Sequence, residues 1–548
     1  MLLHFDHPLG FWQTFSKDRY FLLGALGAGI ASFLFLSLAW DVDFGVDANN
    51  YIRYYFHYDV LIMQLRTFLV SEIVGQISEL ESVTAFAAIL LCFYLLTVVS
   101  VYYVARLFGK LVARVTTILF LLHFDVTVLS HYLASDNLNI LAIALWSMLL
   151  IRLHKSTKFY AFILLGISTF ALVLIRTPGT AFILMSAFPV VLYGFSRVNI
   201  KNSLIFLFAF LVCYYGYSYN NYRTYGKFQL VSLSDVVYPG MHVFRNDFFH
   251  KENGPNSKEL FRLVEEELLV RPMYKDRNID SKIFFTRSDM RMWNDLVFID
   301  WVLAPGIIAR ASYEAILADP ISYMASIIKK TYYMLIRPYN QSMPRISQPA
   351  SKNKTAQMEK SEADSVSNHN SADPTKRFIP YSSTAEGQER LNKFHHTNRI
   401  MSAEEIKRRA EIDAIVETRL NRIRPEPGNY HVAHFAKNVM FYIIPPLPFF
   451  LILSLFSLPL LKKPEIRLIW MLLSSAMVII MASAMLRYSM IRYRLPFDFI
   501  IILIGTVGVM GNRTICSWFI GIQPEPKQLK PDDQETLILE NVDETSKA

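Results

Sequence analysis

The chain has 548 residues, of which 53% are hydrophobic, 14% aromatic and only 18% charged, with a formal net charge of +9 and a mean hydropathy of +0.28. The apolar residues run in long blocks, which excludes one large water-shielded core and points to a lipid-embedded helical bundle that grows laterally. The basic surplus lies in short tracts beside those blocks, as topology signals do, so nucleic acid is not an expected partner.

In chain order, the apolar blocks predict about ten spans: Tyr20 to Trp40, Val83 to Ala105, Val115 to Tyr132, Leu138 to Ile151, Phe159 to Ile175, Thr180 to Phe195, Leu204 to Tyr219, Phe441 to Leu461, Leu468 to Leu486 and Phe497 to Val509. The expected fold is an all-α polytopic membrane protein. The first span follows a stretch with Asp6, Pro8 and Asp18 and no clear small-residue cleavage site, so it reads as a retained helix. Pro320 to Pro338 is apolar but interrupted by Lys329 and Lys330, which predicts an interfacial helix. Cys92, Cys213 and Cys516 lie in or near the ends of spans without metal-binding or disulfide spacing, and read as packing residues.

Basic turns at Arg106 to Arg114, Arg152 to Lys158, Ser196 to Lys201 and Lys462 to Arg467 share one face, which the positive-inside rule makes cytoplasmic together with both termini. The implied organisation is a cytoplasmic N-terminus (1–19), a membrane module (20–340) with its first outward loop at 41–82, a polar non-cytoplasmic insertion (341–436), C-terminal spans (437–515) and a cytoplasmic tail (516–548). The first half of the insertion has the composition of a disordered segment. Its EEIKRRAEIDAIVETRLNRI stretch (404–423) predicts a solvated helix.

The outward face collects the residues able to do chemistry. The first loop opens DVDFGVDANNYIRYYFHYD, with Asp41, Asp43 and Asp47 directly after a span. Carboxylates at a membrane edge suit a cation, a proton or a hydroxyl, or are solvated interface charge. Arg176 in LIRTPG and Arg487, Arg492 and Arg494 before the last span run against the charge bias of outward loops. Phosphate binding and snorkelling to headgroups both account for them. Asp136 reads as an N-cap for a helix starting at Asn137. His123, Asp125 and His131 are close in sequence without convincing metal spacing, and His395 and His396 read as solvated loop residues. Asn340, Asn353 and Asn512 open glycosylation sequons, relevant only in a eukaryotic lumen.

Asp47 followed four residues later by Tyr51 resembles the first-loop opening of GT-C glycosyltransferases of the dolichyl-phosphate-mannose protein mannosyltransferase (family 39) and aminoarabinose transferase type. SDNLNILAIALWSMLLIRL (Ser135 to Leu153) after a basic turn and a span, ASYEAILADPISYM (Ala311 to Met324) and RYRLPFDFIIILI (Arg492 to Ile504) resemble further stretches of that family, in order. Ala48 replaces a second acid after Asp47, and the long polar insertion departs from compact members. The resemblance implies a GT-C-like bundle that moves a sugar from a polyprenyl-phosphate donor to a lipid, glycan or protein acceptor on the non-cytoplasmic face. The membrane implied is the bacterial inner membrane, or the ER membrane in a eukaryote. It makes Asp47 the expected general base, with Asp43 as the substitute in a shifted register, and assigns Tyr51, Asp136, Arg176, Arg487, Arg492 and Arg494 to substrate binding. No metal ligand set is indicated; because relatives in the wider superfamily use a divalent ion with first-loop acids, the cofactor stays open. A transporter or lipid flippase is the alternative, expected to carry ionisable or Gly/Pro-broken positions at mid-membrane depth. A scaffold that binds partners through the insertion is a third reading.

Overall fold

In lipid a spanning segment must satisfy its backbone N–H and C=O groups internally, so the apolar blocks fold as helices. The computed structural model describes residues 13, 16–45, 47–57, 67–225, 228–230, 242–244, 246–270, 272–275, 278–287, 304–337, 394–395, 399–400, 403–423, 429–485 and 491–512. Among these, seven helical segments are long and apolar enough to cross a membrane, and the chain is an all-α membrane protein. Phe159–Ile175 and Thr177–Tyr193 are apolar but shorter. Cys516, Asn340, Asn353, most of the insertion and the C-terminal tail lie outside the described residues.

The first span, α1 (Arg19–Ser37), leads to a two-residue strand β1 (Asp43–Phe44) and two short helices, α2 (Ala48–Tyr55) and α3 (Phe68–Ile77). The chain returns through α4 (Val83–Arg106), whose first turn is capped by the Ser82 hydroxyl accepting from the Ala85 N–H at 3.2 Å. Gly109, at φ 119, makes the turn into α5 (Lys110–Leu121).

The expected third span is not one helix. It breaks at His123 into α5 and the six-residue α6 (Phe124–Leu129), then extends as β2 (Tyr132–Leu133). β2 pairs in parallel with β1, Asp43 opposite Tyr132 and Phe44 opposite Leu133. Hydrophobicity alone does not register this break, because Phe120 and Leu121 before it and Phe124 and Val126 after it are apolar and buried. The β1–β2 clip ties the first loop to the entry of α7 (Ser135–Leu153).

Beyond α7 come α8 (Phe159–Ile175), a tighter 3-10 run over Thr177–Ala187 that continues into α9 (Phe188–Tyr193), and α10 (Arg197–Tyr225). A Cβ on Gly166 of α8 would lie 2.5 Å from the Phe206 carbonyl and 2.8 Å from the Ala209 methyl, so glycine permits the close seam between α8 and α10.

After α10, α11 (Pro255–Leu263) packs against α12 (Ala304–Ala318). Glu314 of α12 receives four hydrogen bonds at the N-terminus of α11: the Asn256 N–H and side-chain amide at 3.0 and 2.6 Å, and the Ser257 N–H and hydroxyl at 2.7 and 2.8 Å. Burial alone would raise the Glu314 carboxyl, but these bonds outweigh it and hold it below the ordinary glutamate value. A depressed folded value stabilises the protein above the unfolded glutamate pKa of about 4.3, and that contribution disappears as pH falls through the lower folded value. Glu314→Gln is therefore expected to lower stability by about 1 kcal/mol at neutral pH, discounted for partial exposure. Thermal unfolding of both proteins across the acid range should show the gap closing as pH falls.

Asp319 ends α12 and caps α13 (Pro320–Ile336) by accepting from the Ser322 N–H at 3.1 Å. Tyr323, Ile327 and Thr331 of α13 are buried, whereas Ile321, Ile328 and Tyr332 are exposed. The insertion's α14 (Ala403–Arg422) is helical as expected but not wholly solvated. Ile412 and Val416 are buried; Asp413 pairs with Arg53 of α2 at 2.8 Å, and Arg419 lies 4.7 Å from the Phe56 ring. His395 lies in a two-residue antiparallel pair, 394–395 with 399–400.

After α15 (Tyr430–Asn438), the expected eighth span is broken by prolines into short pieces around α16 (Leu447–Ser454). The chain then crosses through α17 (Pro464–Ala484) and α18 (Asp498–Gly511). Gly505 and Gly508 let α18 lie against the carbonyls of Phe450 and Leu453. All but the last residue of α18 are buried, and the segment entering it carries Arg492 and Arg494 into the protein, their side chains 11% and 3% exposed.

Candidate functional site

Asp47 occupies the N-cap position of α2, the usual place for an aspartate to bond the helix's free N–H groups, yet its carboxylate makes no capping bond. It faces Arg492, whose guanidinium is 3.5 Å away. Asp136 is likewise not a cap. The helix starts at Ser135, two residues earlier than the sequence predicts, and its N-cap is Ala134. This places Asp136 inside the first turn of α7, where the helix dipole favours a negative charge, and leaves its carboxylate for tertiary pairing. Asp136 is 1% exposed and contacts two arginines: Arg176, at the end of α8, and Arg492 at 3.3 Å.

Tyr493 completes the cluster. Its ring lies 4.2 Å from the Arg176 guanidinium and 5.3 Å from that of Arg492, distances at which a ring face attracts a cation. The result is an alternating chain, Asp47, Arg492, Asp136, Arg176, drawn from four elements up to 445 residues apart in sequence.

The other expected site residues fall around this chain. Asp43 lies in β1, and its carboxylate accepts from the adjacent Phe44 N–H at 2.7 Å. Tyr51 is one turn into α2 from Asp47, buried, with its N–H donating to the Asp47 carbonyl at 3.3 Å. Arg487 lies outside the described residues.

Arg494 points away from Arg492 into a second, deeper layer and is 2% exposed. Its guanidinium reaches Asp125 at 3.4 Å and Asp498 at 3.1 Å. It also donates to the carbonyls of Met334, Leu335 and Arg337 at 2.7, 3.3 and 3.0 Å, which are the acceptors left open at the C-terminal end of α13. Asp498 in turn lies 2.7 Å from His123, the residue at which the third apolar block breaks. Neither Tyr493 nor Asp498 is singled out by sequence reasoning. The Arg494/Asp498 spacing of four, at the entry to a helix, is the signal that would have paired them.

Among the described residues, no three His, Cys, Asp or Glu converge to hold a metal. His131 is packed against the Phe33 ring at 4.0 Å, with its ring nitrogens on the carbonyls of Thr127 (2.8 Å) and Phe33 (3.1 Å).

Comparison with known family models, curated proteins and solved structures finds no match. The chemistry is therefore argued from the site alone. Two arginine forks converge on one buried carboxylate beside a tyrosine, with a second carboxylate at the rim. Such forks suit the oxygens of a phosphate, which they bind in bidentate fashion. The rim carboxylate, Asp47, is the more exposed of the two, its side chain 25% exposed against 2% for Asp136. It is thus the more accessible of the two to a molecule at the rim.

Proposed function

We propose that this chain is a membrane glycosyltransferase with a GT-C-like bundle of about ten crossings, the shorter apolar helices completing the count. It moves a sugar from a polyprenyl-phosphate donor to a hydroxyl of an envelope glycan, lipid or protein on the non-cytoplasmic face. The observation that carries the reading is the meeting of the first-loop Asp47 with Arg492, Asp136 and Arg176 at one point. An acidic loop and two arginines that the membrane topology assigns to the same face thus form one constellation.

In this reading the donor phosphate takes the guanidinium groups of Arg176 and Arg492, with Asp136 keeping both oriented. Asp47 accepts the proton of the acceptor hydroxyl as that oxygen bonds to the anomeric carbon. The bond from the anomeric carbon to the phosphate oxygen breaks, and its electron pair leaves on the phosphate, where the arginines stabilise the charge. One base suffices because the carrier phosphate is itself a competent leaving group, unlike the alkoxide that glycosidases must protonate.

The buried Asp125, Arg494, Asp498 and His123 network favours a second reading, a transporter or flippase, because ionisable groups inside a membrane bundle often line a transport path. The test is to incubate membranes containing the chain with labelled polyprenyl-phosphate hexoses and pentoses and to follow the label into lipid, glycan and protein fractions. Transfer above that of membranes lacking the chain is expected. If no donor supports transfer and sealed vesicles instead move the labelled lipid across the bilayer, the transport reading replaces this one.

A further inference from the structure

At the opposite end of the bundle from this cluster, Arg197 and Lys201 are one helical turn apart on α10 and both exposed. Other cations at that end include Lys110 and Arg114, paired with Asp18, and Lys155, paired with Glu465. Among the described residues, neither Arg197 nor Lys201 has an ion-pair partner. They stand at the head of a groove of about 850 Å³ between α8 and α10, whose remaining walls are mostly apolar, Ile163, Phe208 and Val212 among them.

The groove is the furrow left beside a close helix seam. Gly166 brings α8 onto the α10 backbone near Phe206 and Ala209, and the strip alongside stays open. Only 17% of the most apolar window of α10 is buried within the protein, so this face belongs to lipid. From Arg197 to Val212 the helix rises roughly 22 Å, about the depth of one leaflet from headgroup to midplane. α8 separates the groove's basic end from Arg176 by about 25 Å, which makes it distinct from the phosphate-binding cluster proposed above.

We infer that this groove binds an acidic glycerophospholipid of the leaflet opposite the candidate site, its phosphate on Arg197 and Lys201 and one acyl chain along Ile163, Phe208 and Val212. Charge selects the headgroup. A zwitterionic lipid fills the same furrow but brings a cation that opposes the basic pair.

The full chain, reconstituted from vesicles of equal phosphatidylcholine and phosphatidylglycerol and released into mild detergent, is to be examined by native mass spectrometry. Preferential retention of phosphatidylglycerol is expected. Replacing Arg197 and Lys201 together with Gln should lower that retention about tenfold or more without changing phosphatidylcholine. Val212→Trp, which fills the furrow and spares both charges, should lower it as well, and Lys462→Gln, an exposed cation in another turn, should not. Equal retention of the two lipids by the unaltered protein, or an Arg197/Lys201 variant no different from Lys462→Gln, overturns the proposal. A dimer that Val212→Trp dissociates also overturns it, assigning the groove to a second copy of the chain.

Discussion

Asp47→Asn is expected to reduce sugar transfer from a polyprenyl-phosphate donor by roughly 10²–10⁴-fold, the range that a positioned general base contributes. The amide keeps the shape of the carboxylate and still offers Arg492 an oxygen at the observed 3.5 Å. It cannot take a proton from the acceptor. Because Asp47 is at the rim of the site and makes no capping bond, the substitution should leave thermal stability nearly unchanged. The loss should also appear in kcat and not in the KM for donor, since the arginines that would hold the phosphate remain. Asp43→Asn, four residues earlier in β1, is the matched control and should retain most activity. Equal transfer by the Asp47→Asn protein would remove the assignment of the base, and a collapse with Asp43→Asn would move it to that residue.

Arg494→Met is expected to cost about 3–5 kcal/mol of stability, the loss typical when one member of a buried ionic group is removed. Methionine fills much of the same volume, so the expense is electrostatic. The substitution leaves Asp125 and Asp498 buried without their shared guanidinium and strips the open carbonyls at the end of α13 of their donor. Thermal unfolding of the purified protein in detergent measures the effect. Adding Asp498→Asn should recover part of the loss, because it removes one of the stranded charges; no recovery would mean that the cost lies in the α13 carbonyls. A change below about 1 kcal/mol would show that water reaches this layer and screens it. Activity is expected to fall with stability even though Arg494 is not in the outer chain. It is two residues from Arg492 and anchors the same short segment that presents Arg492 and Tyr493.

Several expectations from the sequence met the structure unevenly, for identifiable reasons. Lipid leaves helix as the natural backbone solution, so long apolar blocks such as Val83 to Ala105 and Leu468 to Leu486 appear as helices with ends shifted by only a few residues. Blocks with a hidden break do not. Val115 to Tyr132 divides at His123, where the chain turns to bring His123 to Asp498 and β2 to β1. Phe441 to Leu461 is interrupted by its own prolines, which were visible but masked by uniform hydrophobicity. The polar segment at 404–423 was legible as a helix from its periodicity. Its docking was not, because the partners of Asp413 and Arg419 lie in the first loop more than 300 residues away.

The sequence by itself determined that the protein is helical and membrane-embedded, because apolar run length and the need to satisfy backbone polar groups in lipid are local properties. It also marked Asp47, Asp136, Arg176, Arg492 and Arg494 as charges in unusual places. Only the tertiary structure decided which of them meet. Asp47, Asp136, Arg176 and Arg492 converge, whereas Arg494 turns inward to Asp125 and Asp498. That division follows from the burial of α18 and from the 3-10 turns that lead into it (Ile491–Tyr493 and Leu495–Phe497): a 3-10 turn advances about 120° per residue, so Arg492 and Arg494 leave the backbone in different directions, and the buried Arg494 guanidinium takes carboxylates and carbonyls as partners in place of solvent.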